Sequence, residues 1–265
     1  MFAQKFSDLV NRIGQRIGRR IGRFARSGIW IARSLRFWLA TIAATVFMIA
    51  FLTVCFYESW LRLSPHLAPW GTPDLTDTPG WFARAQLNSL SVDGNACVQT
   101  LARAQVHHTR LANRHLGYAC GYTDVVSASP QIPFRPSLTA TCSLTAGLVW
   151  YERELDDIAR RVLGAQIVRI DHVGIYVCRN INWERDGWRS EHATANAIDV
   201  TAFRLSDGHT VSIARDWGKA TAAGRFLHEA HDKACELFDV VLGPDYNKAH
   251  RTHFHLDLGR FRACH

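Results

Sequence analysis

The sequence predicts a mixed α+β domain with a small, mostly antiparallel sheet and flanking helices, preceded by one transmembrane helix. Two long stretches repeat apolar residues at helical spacing, and several short stretches alternate apolar and polar residues as strands do. The two kinds follow no regular strand–helix–strand rhythm, which favours α+β over a doubly wound fold. The transmembrane helix is predicted by 21 uncharged residues, Phe37 to Tyr57, enough to cross a hydrocarbon core of roughly 30 Å.

The excess of basic residues lies in front of this apolar run. Residues 1–36 contain nine Lys and Arg and one Asp, which accounts for the whole formal charge of +8. Basic residues before a spanning helix place the N-terminus in the cytoplasm. The charge is therefore explained by membrane topology, as a basic cytoplasmic segment, and a nucleic-acid partner is not expected.

A cleaved signal peptide is the alternative reading of the apolar run. Its apolar region usually has about 7–15 residues and ends in small residues, whereas this run is longer and is followed by Glu58-Ser59-Trp60-Leu61. An uncleaved anchor is favoured. We therefore expect a single-pass membrane protein whose C-terminal domain lies on the non-cytoplasmic side.

The cysteines agree with an oxidising compartment. Cys55 lies in the apolar run, and six more follow it: Cys97, Cys120, Cys142, Cys178, Cys235 and Cys264. An even number outside the membrane predicts three disulfides, although the sequence does not choose the pairing. No C-x-x-C pair occurs, which argues against a cysteine-rich zinc site or a dithiol redox motif.

The region after the membrane divides into a spacer and a domain. Residues 58–87 are rich in proline and predict a linker or an extended wrap, and residues 88–265 predict the folded domain. Apolar spacing predicts helices over residues 95–108, 144–163 and 219–238, the second ending at Gly164. Residues 122–134 are expected to be extended, and residues 167–178 to form two short strands or one strand bent at Gly174.

Two stretches near the C-terminus carry the chemistry. Residues 252–258 alternate as a strand, with Phe254, Leu256 and Leu258 on one face and His253, His255 and Asp257 on the other. In Ser190-Glu191-His192-Ala193-Thr194-Ala195-Asn196-Ala197-Ile198-Asp199, a turn containing His192 leads into a strand on which Asp199 faces away from the core. One His, one Asp and a His-x-His pair can give three ligands to Zn²⁺ and leave one position open.

These residues resemble a known family. SEHATANAIDV resembles the S-x-H-x-x-G-x-A-x-D pattern of zinc D-Ala-D-Ala metallopeptidases, murein endopeptidases and their hedgehog-fold relatives, and HRTHFH resembles the H-x-x-H-x-H ending of the endopeptidases. The chain resembles still more closely the bacterial extensin-like C-terminal domain family, through CRN, SEHATANAIDV, LGPDYN and HRTHFHLD. This resemblance covers roughly residues 85–265. It implies a hedgehog-like or D-Ala-D-Ala-peptidase-like fold.

The resemblance also implies roles for particular residues. His192, Asp199 and His255 would bind zinc, and His253 would be the catalytic base, although alternation alone leaves open whether His253 is itself a ligand. His250 would support the site, and Arg179 would bind a substrate carboxylate or the developing oxyanion. Ala195 departs from the family pattern, which has glycine there, so the conformation of this turn needs the structure.

The resulting expectation is a zinc-dependent peptidase that acts on the peptides of peptidoglycan. The resemblance to a bacterial family makes the membrane the bacterial inner membrane, crossed once, with the C-terminal domain in the periplasm. A different class remains open, namely a non-catalytic peptidoglycan-binding or envelope scaffolding module with a structural metal. The sequence identifies no protein partner.

Overall fold

The computed structural model describes residues 36–55 and 68–265. The predictions made for residues 1–35 and 56–67 lie outside these ranges. Helix α1 (Arg36–Cys55) has a mean hydropathy of 2.2 and is long and apolar enough to cross a membrane. The chain divides into two compact units, residues 1–62 and residues 63–265.

The second unit, residues 63–265, has its own core. Every member of the main buried cluster lies between Leu75 and Leu258, and all three disulfides join residues within this unit. The unit therefore contains the apolar surface and the cross-links that a domain needs to fold by itself.

The unit is mixed α+β, as predicted. Its helices are α2 (Ala83–Leu90), α3 (Gly94–Arg103), α4 (Cys142–Leu163), α5 (Ile213–Asp216) and α6 (Ala222–Leu237). Its strands are β1 (His107–Arg110), β2 (Arg114–Gly117), β3 (Cys120–Tyr122), β4 (Val125–Ser129), β5 (Phe134–Arg135), β6 (Leu138–Thr141), β7 (Ile167–His172), β8 (Ala197–Leu205), β9 (Thr210–Ser212), β10 (Val240–Leu242), β11 (Phe254–Asp257) and β12 (Ala263–Cys264).

The sheet is larger than the sequence predicted. Seven strands form the main sheet in the order β12-β10-β11-β8-β7-β5, with β9 paired to β8. Most neighbours are antiparallel, but β10–β12 and β5–β7 are parallel pairs. A three-stranded sheet (β1-β4-β6) and a two-stranded hairpin (β2-β3) complete the described strands.

The two long predicted helices are present and form the layer behind the main sheet. They pack on each other, where the Tyr151 hydroxyl of α4 donates to the Ala230 carbonyl of α6 at 3.0 Å. Phe226 of α6 contacts Phe203 of β8, with ring centroids 5.2 Å apart. This layer fixes the central strands and leaves their other face for the histidines.

Two local predictions were wrong in their bounds. The helix expected over residues 95–108 ends at Arg103, because Gln105 adopts a left-handed conformation (φ 58°) and turns the chain into β1. Two short strands, or one strand bent at Gly174, were expected over residues 167–178, but the structure has a single strand there and it ends at His172. Structured residues also begin before position 88, since α2 spans it and the Leu75 side chain is only 1% exposed.

The three disulfides confirm the prediction that six cysteines are paired, and Cys55 is the free one. The bonds are Cys97–Cys142, Cys120–Cys178 and Cys235–Cys264. The first joins α3 to α4, and the last joins α6 to β12. The middle bond ties β3 to the segment that leads into the His192 turn, and therefore restrains one side of the histidine cluster.

The end of α4 offers a test of local backbone strain. Gly164 follows the helix at φ 69°, and an added Cβ would meet nothing within 4 Å. Gly164→Ala should therefore lower the free energy of unfolding by about 1 kcal/mol through backbone strain alone. Urea denaturation measures this, and Gly218→Ala, where an added Cβ also meets nothing and φ is not positive, should leave the stability within about 0.5 kcal/mol. Equal effects of the two substitutions would contradict the strain argument.

Candidate metal centre

Two central strands bring Asp199 and His255 together. Strands β8 and β11 pair so that His255 lies directly opposite Asp199, and Phe254 and Leu256 lie opposite Val200 and Ile198. Directly opposite side chains project from the same face of a sheet. The imidazole and the carboxylate therefore share one face, while the four apolar side chains enter the core.

A β-bulge at Thr201 lets β8 place Asp199 on the site face and still bury the apolar side chains on both sides of the bulge. His172 of β7 pairs with Val200, but the preceding Asp171 pairs with Ala202, so Thr201 is an extra residue. An extra residue reverses the facing of the side chains that follow it. Both Val200 and Phe203 are thereby buried while Asp199 still points away from the core.

The third member comes from the turn before β8. Residues 191–194 form a short 3₁₀ helix, capped by Ser190, that places the buried His192 beside the two strands. Its Nε2 lies 3.2 Å from His255 Nδ1 and 3.3 Å from Asp199 Oδ1. His255 Nδ1 lies 3.0 Å from the same carboxylate oxygen. We refer to His192, Asp199 and His255 as the ligand triad.

Outer hydrogen bonds orient both imidazoles toward this common point. The Nδ1 of His192 lies 2.9 Å from the Ile175 carbonyl and donates to it, which leaves the Nε2 lone pair directed at the triad. The Nε2 of His255 lies 2.9 Å from Asp257 Oδ2 and donates to it, which leaves the Nδ1 lone pair. A metal-bound histidine usually donates its other ring nitrogen in this way.

The spacing of the triad fits a small tetrahedral metal ion. Ligand atoms held about 2.0–2.1 Å from zinc at tetrahedral corners are about 3.3–3.4 Å apart, and the three observed separations are 3.0, 3.2 and 3.3 Å. Two imidazoles and one carboxylate are a common donor set for Zn²⁺. The residues present therefore fit the metal that the sequence implied.

The electrostatics of the triad favour a positive charge. Burial lowers the pKa of His255, but the hydrogen bonds and charges of Asp199 and Asp257 outweigh it and raise that pKa to about 9. Burial raises the pKa of Asp199, but its hydrogen bonds with His192 and His255 outweigh this and hold the pKa well below its usual range. The carboxylates that favour a proton on His255 would equally favour a divalent cation in its place.

His253 and His250 lie beside the triad. His253 Nε2 is 3.6 Å from Asp199 Oδ1. The His250 ring lies 5.2 Å from the His253 ring and 6.0 Å from the His255 ring, between centroids. Burial and the neighbouring histidines lower the pKa of His250 to about 4, and burial also lowers the pKa of His253 although the Asp199 charge opposes it. Both rings are therefore neutral at pH 7.

Arg179 directly follows Cys178, whose disulfide to Cys120 restrains the segment before the His192 turn. Burial is the main cause of the lowered pKa of His250 and His253, and the positive charge of Arg179 is a smaller one. The guanidinium lies 5.3 Å from the centre of the Trp183 ring, and its Nη1 donates to the Asn180 carbonyl. Of the residues predicted for the site, the structure brings together His192, Asp199, His250, His253 and His255, whereas the side-chain contacts described for Arg179 are with Asn180 and Trp183.

Asp257 belongs to the site although sequence reasoning gave it no role. Strand alternation had placed it on the histidine face, and its distance of two residues from His255 was the signal that could have identified it. Its second oxygen accepts from the Gly259 backbone at 2.9 Å, so the carboxylate is fixed on both sides.

The Asp257 carboxylate gives a test of this outer contact. Asp257→Asn keeps the size and an acceptor but removes the charge, so zinc affinity should fall by about 10–100-fold. Competition with a chromogenic chelator measures the affinity. Asp232→Asn, at an 82% exposed side chain, is the control that should not change it, and an unchanged affinity in Asp257→Asn would contradict the orienting role.

The turn between His192 and Asp199 accommodates the departure from glycine. Ala195 adopts φ 58°, the left-handed region that glycine enters without strain. Its amide donates to the His192 carbonyl, and its methyl group is buried. The turn therefore has the conformation that a glycine would favour, with alanine in it.

Among the described residues, one further cluster of possible ligands and two cavities lie apart from the ligand triad. His231 lies near Cys235 and Cys264, but these two cysteines form a disulfide and cannot ligate a metal in that state. Cavities of about 420 and 490 Å³ are lined respectively by residues around Thr194 and around Glu152. Neither of these two cavities is lined by a ligand-triad residue.

The fold and the site together define an α+β domain with a His/Asp cluster suited to one metal ion. The apolar helix α1 and the three disulfides indicate that this domain is extracytoplasmic, either anchored in a membrane or secreted. The chain belongs to the family described as Extensin-like protein C-terminus, which matches residues 95–265. No curated protein and no solved structure matches the chain.

Proposed function

We propose that this protein is a zinc-dependent peptidase, anchored in the inner membrane, that hydrolyses an amide bond in the peptides of peptidoglycan. The observation that carries the proposal is the convergence of three ligand atoms within 3.0–3.3 Å of one another, with a neutral histidine beside them. Such a group resembles a catalytic metal site, which has three protein ligands and an open position.

His192, Asp199 and His255 would hold the zinc. Bound there, Zn²⁺ would supply Lewis-acid assistance to hydrolysis. The protein's part is to fix the three donors before the metal arrives, through the Ile175 carbonyl and the Asp257 carboxylate. Donors that are already oriented lose little freedom on binding, which favours high affinity.

His253 would be the general base. A base must be neutral at the working pH and close to the reacting water, and burial keeps the pKa of His253 low. Its Nε2 lies 3.6 Å from a ligand oxygen, so it borders the metal position without belonging to the triad. It would accept a proton from the attacking water and return it to the departing amine.

Arg179 would bind the charge of the substrate, and His250 would orient the base. The Arg179 guanidinium would hold a substrate carboxylate or the oxyanion that forms at the scissile carbonyl. The Nδ1 of His250 lies 2.8 Å from the Asn247 side-chain oxygen, to which it donates, so its ring has a fixed orientation beside His253. His250 would support the orientation of the base.

The substrate class follows from resemblance and location. The His and Asp motifs resemble those of zinc D-Ala-D-Ala metallopeptidases and murein endopeptidases, and by that resemblance we assign the fold to their hedgehog-like group. An anchor with its basic side in the cytoplasm would place residues 68–265 in the periplasm, where peptidoglycan peptides lie. These peptides carry free carboxylates, which suit Arg179.

Defined muropeptides test the proposal. Residues 63–265 loaded with zinc should cleave a cross-linked muropeptide at one amide bond, identified by mass spectrometry of the products. The same protein stripped with a chelator should be inactive, and added zinc should restore turnover. Zinc-loaded protein that leaves every muropeptide intact but still sediments with peptidoglycan would favour a binding or scaffolding module instead.

A further inference from the structure

Close in the sequence to His192 and Asp257 is an exposed group of two aromatic rings and one arginine: Trp188, Arg260 and Phe261. The Arg260 guanidinium lies 4.4 Å from the centre of the Trp188 ring and 5.9 Å from that of Phe261. The two rings meet edge to face at 6.3 Å. Trp188 nevertheless remains 61% exposed and Phe261 47% exposed. We call these three residues the aromatic platform.

The backbone holds the platform in place. Trp188 lies on a hairpin-like loop whose sides are joined by Ile181 N to Trp188 O at 2.9 Å and by Ser190 N to Arg179 O at 3.1 Å. The Cys120–Cys178 disulfide fixes the start of this loop. The segment that contains Arg260 and Phe261 is held at its start, where the Gly259 amide donates a hydrogen bond to the Asp257 carboxylate. Two restrained segments thus present two neighbouring rings to solvent, where a ligand can reach them.

The platform lies within reach of the ligand triad. Trp188 precedes the ligand His192 by four residues, and Arg260 follows Asp257 by three. Four residues of fully extended chain span at most about 14 Å, which limits the backbone separation. An extended peptide of three or four residues covers a similar distance. One substrate can therefore contact the platform at one end and the triad at the other.

The chemistry of the platform fits a sugar chain. Pyranose rings present a face of C–H groups that packs flat on aromatic rings, and they carry acyl and carboxyl oxygens that accept hydrogen bonds from a guanidinium. We propose that Trp188, Arg260 and Phe261 bind the glycan strand of peptidoglycan, so that the attached peptide extends to the ligand triad. This inference rests on the proposed function for its choice of polymer.

A lipid surface fits the same residues less well. Binding to a bilayer usually draws on a continuous apolar face combined with several basic side chains, whereas the platform has two rings around a single guanidinium. Its position on the loop that leads into His192 also ties it to the triad.

Binding to stem-free glycan strands tests the inference without any need for hydrolysis. Strands of alternating N-acetylglucosamine and N-acetylmuramic acid, freed of peptides, should sediment with wild-type residues 63–265. Trp188→Ala and Phe261→Ala should each weaken binding by about tenfold or more, as loss of an aromatic anchor usually does. Both rings are exposed, so the variants should fold and keep their zinc. Trp81→Ala, at a 98% exposed tryptophan outside the platform, is the matched control and should bind as the wild type.

Several results would overturn the inference. Failure of the wild-type protein to bind stem-free strands would overturn it. Platform variants that bind as tightly as Trp81→Ala would also overturn it. Loss of binding to phosphatidylglycerol vesicles in Trp188→Ala, with glycan binding intact, would assign the platform to the membrane. Failure of the proposed function is a separate result: glycan binding that depends on the platform, in a protein that cleaves no muropeptide, would leave the inference standing and reject the peptidase.

Discussion

Replacing any one of His192, Asp199 and His255 by alanine should abolish zinc retention, whereas wild-type residues 63–265 should purify with about one equivalent. The triad offers three donors, and removal of one leaves two, which is too few for a stable site. The contacts are also mutual, since Asp199 Oδ1 lies within 3.0–3.3 Å of both histidine nitrogens. Each substitution therefore also leaves a buried partner without its neighbour.

Metal content by mass spectrometry of the purified protein measures this, and circular dichroism shows whether each variant is folded. Asp199→Asn is a useful companion, because it keeps the side-chain volume while removing the charge. His209→Ala is the matched control: the His209 side chain is 80% exposed and pairs only with Asp207 among the contacts of the described structure, so zinc should be retained. Full zinc in any two of the three triad variants would refute the assignment.

Local patterns predicted the parts of the site that depend on strand facing and helix spacing. Alternation placed His255 and Asp257 on one face of β11, and it placed Asp199 away from the core. Apolar spacing and Gly164 predicted α4 to its last residue. These properties follow from the dihedral period of each element, which a short stretch of sequence already contains.

Properties that arise between distant segments were not predictable. The register that sets His255 opposite Asp199 joins residues 56 positions apart, and the bulge at Thr201 shows only where β7 meets β8. The disulfide pairing also depends on which distant segments meet, as in Cys120–Cys178, whose ends are 58 positions apart in the sequence. The end of α3 at Arg103 was also not predictable, since no glycine or proline marks it. The residue that takes the left-handed conformation after the helix is Gln105.

The conformation of the proline-rich segment was also not predictable from its composition, which allowed either a free linker or a wrap against the domain. For residues 68–87, tertiary contacts show which of the two is formed. Trp150 of α4 donates to the Asp77 carbonyl at 3.0 Å, and Arg153 donates to the Leu75 carbonyl at 2.8 Å. Backbone carbonyls of an irregular segment are thus satisfied by side chains of a buried helix, which holds this part of the segment against the domain.

His253→Ala should keep zinc but lower turnover of a cross-linked muropeptide by about 10²–10⁴-fold, the usual contribution of a positioned acid–base group. Zinc should stay because the three donors of the triad remain and His253 Nε2 lies 3.6 Å from the nearest of them. The fold should also persist, since Phe254 and Leu256 on the other face of β11 are untouched.

Three readouts on the same variant separate the roles that His253 can have. Steady-state kinetics should show the loss in kcat, with zinc content and circular dichroism unchanged, if His253 moves the proton. His209→Ala should match the wild type in all three measurements. Loss of zinc and turnover together would instead make His253 a ligand and require a new role for His255. Unchanged turnover would remove His253 from the mechanism, because no proton transfer in the reaction would then depend on its ring.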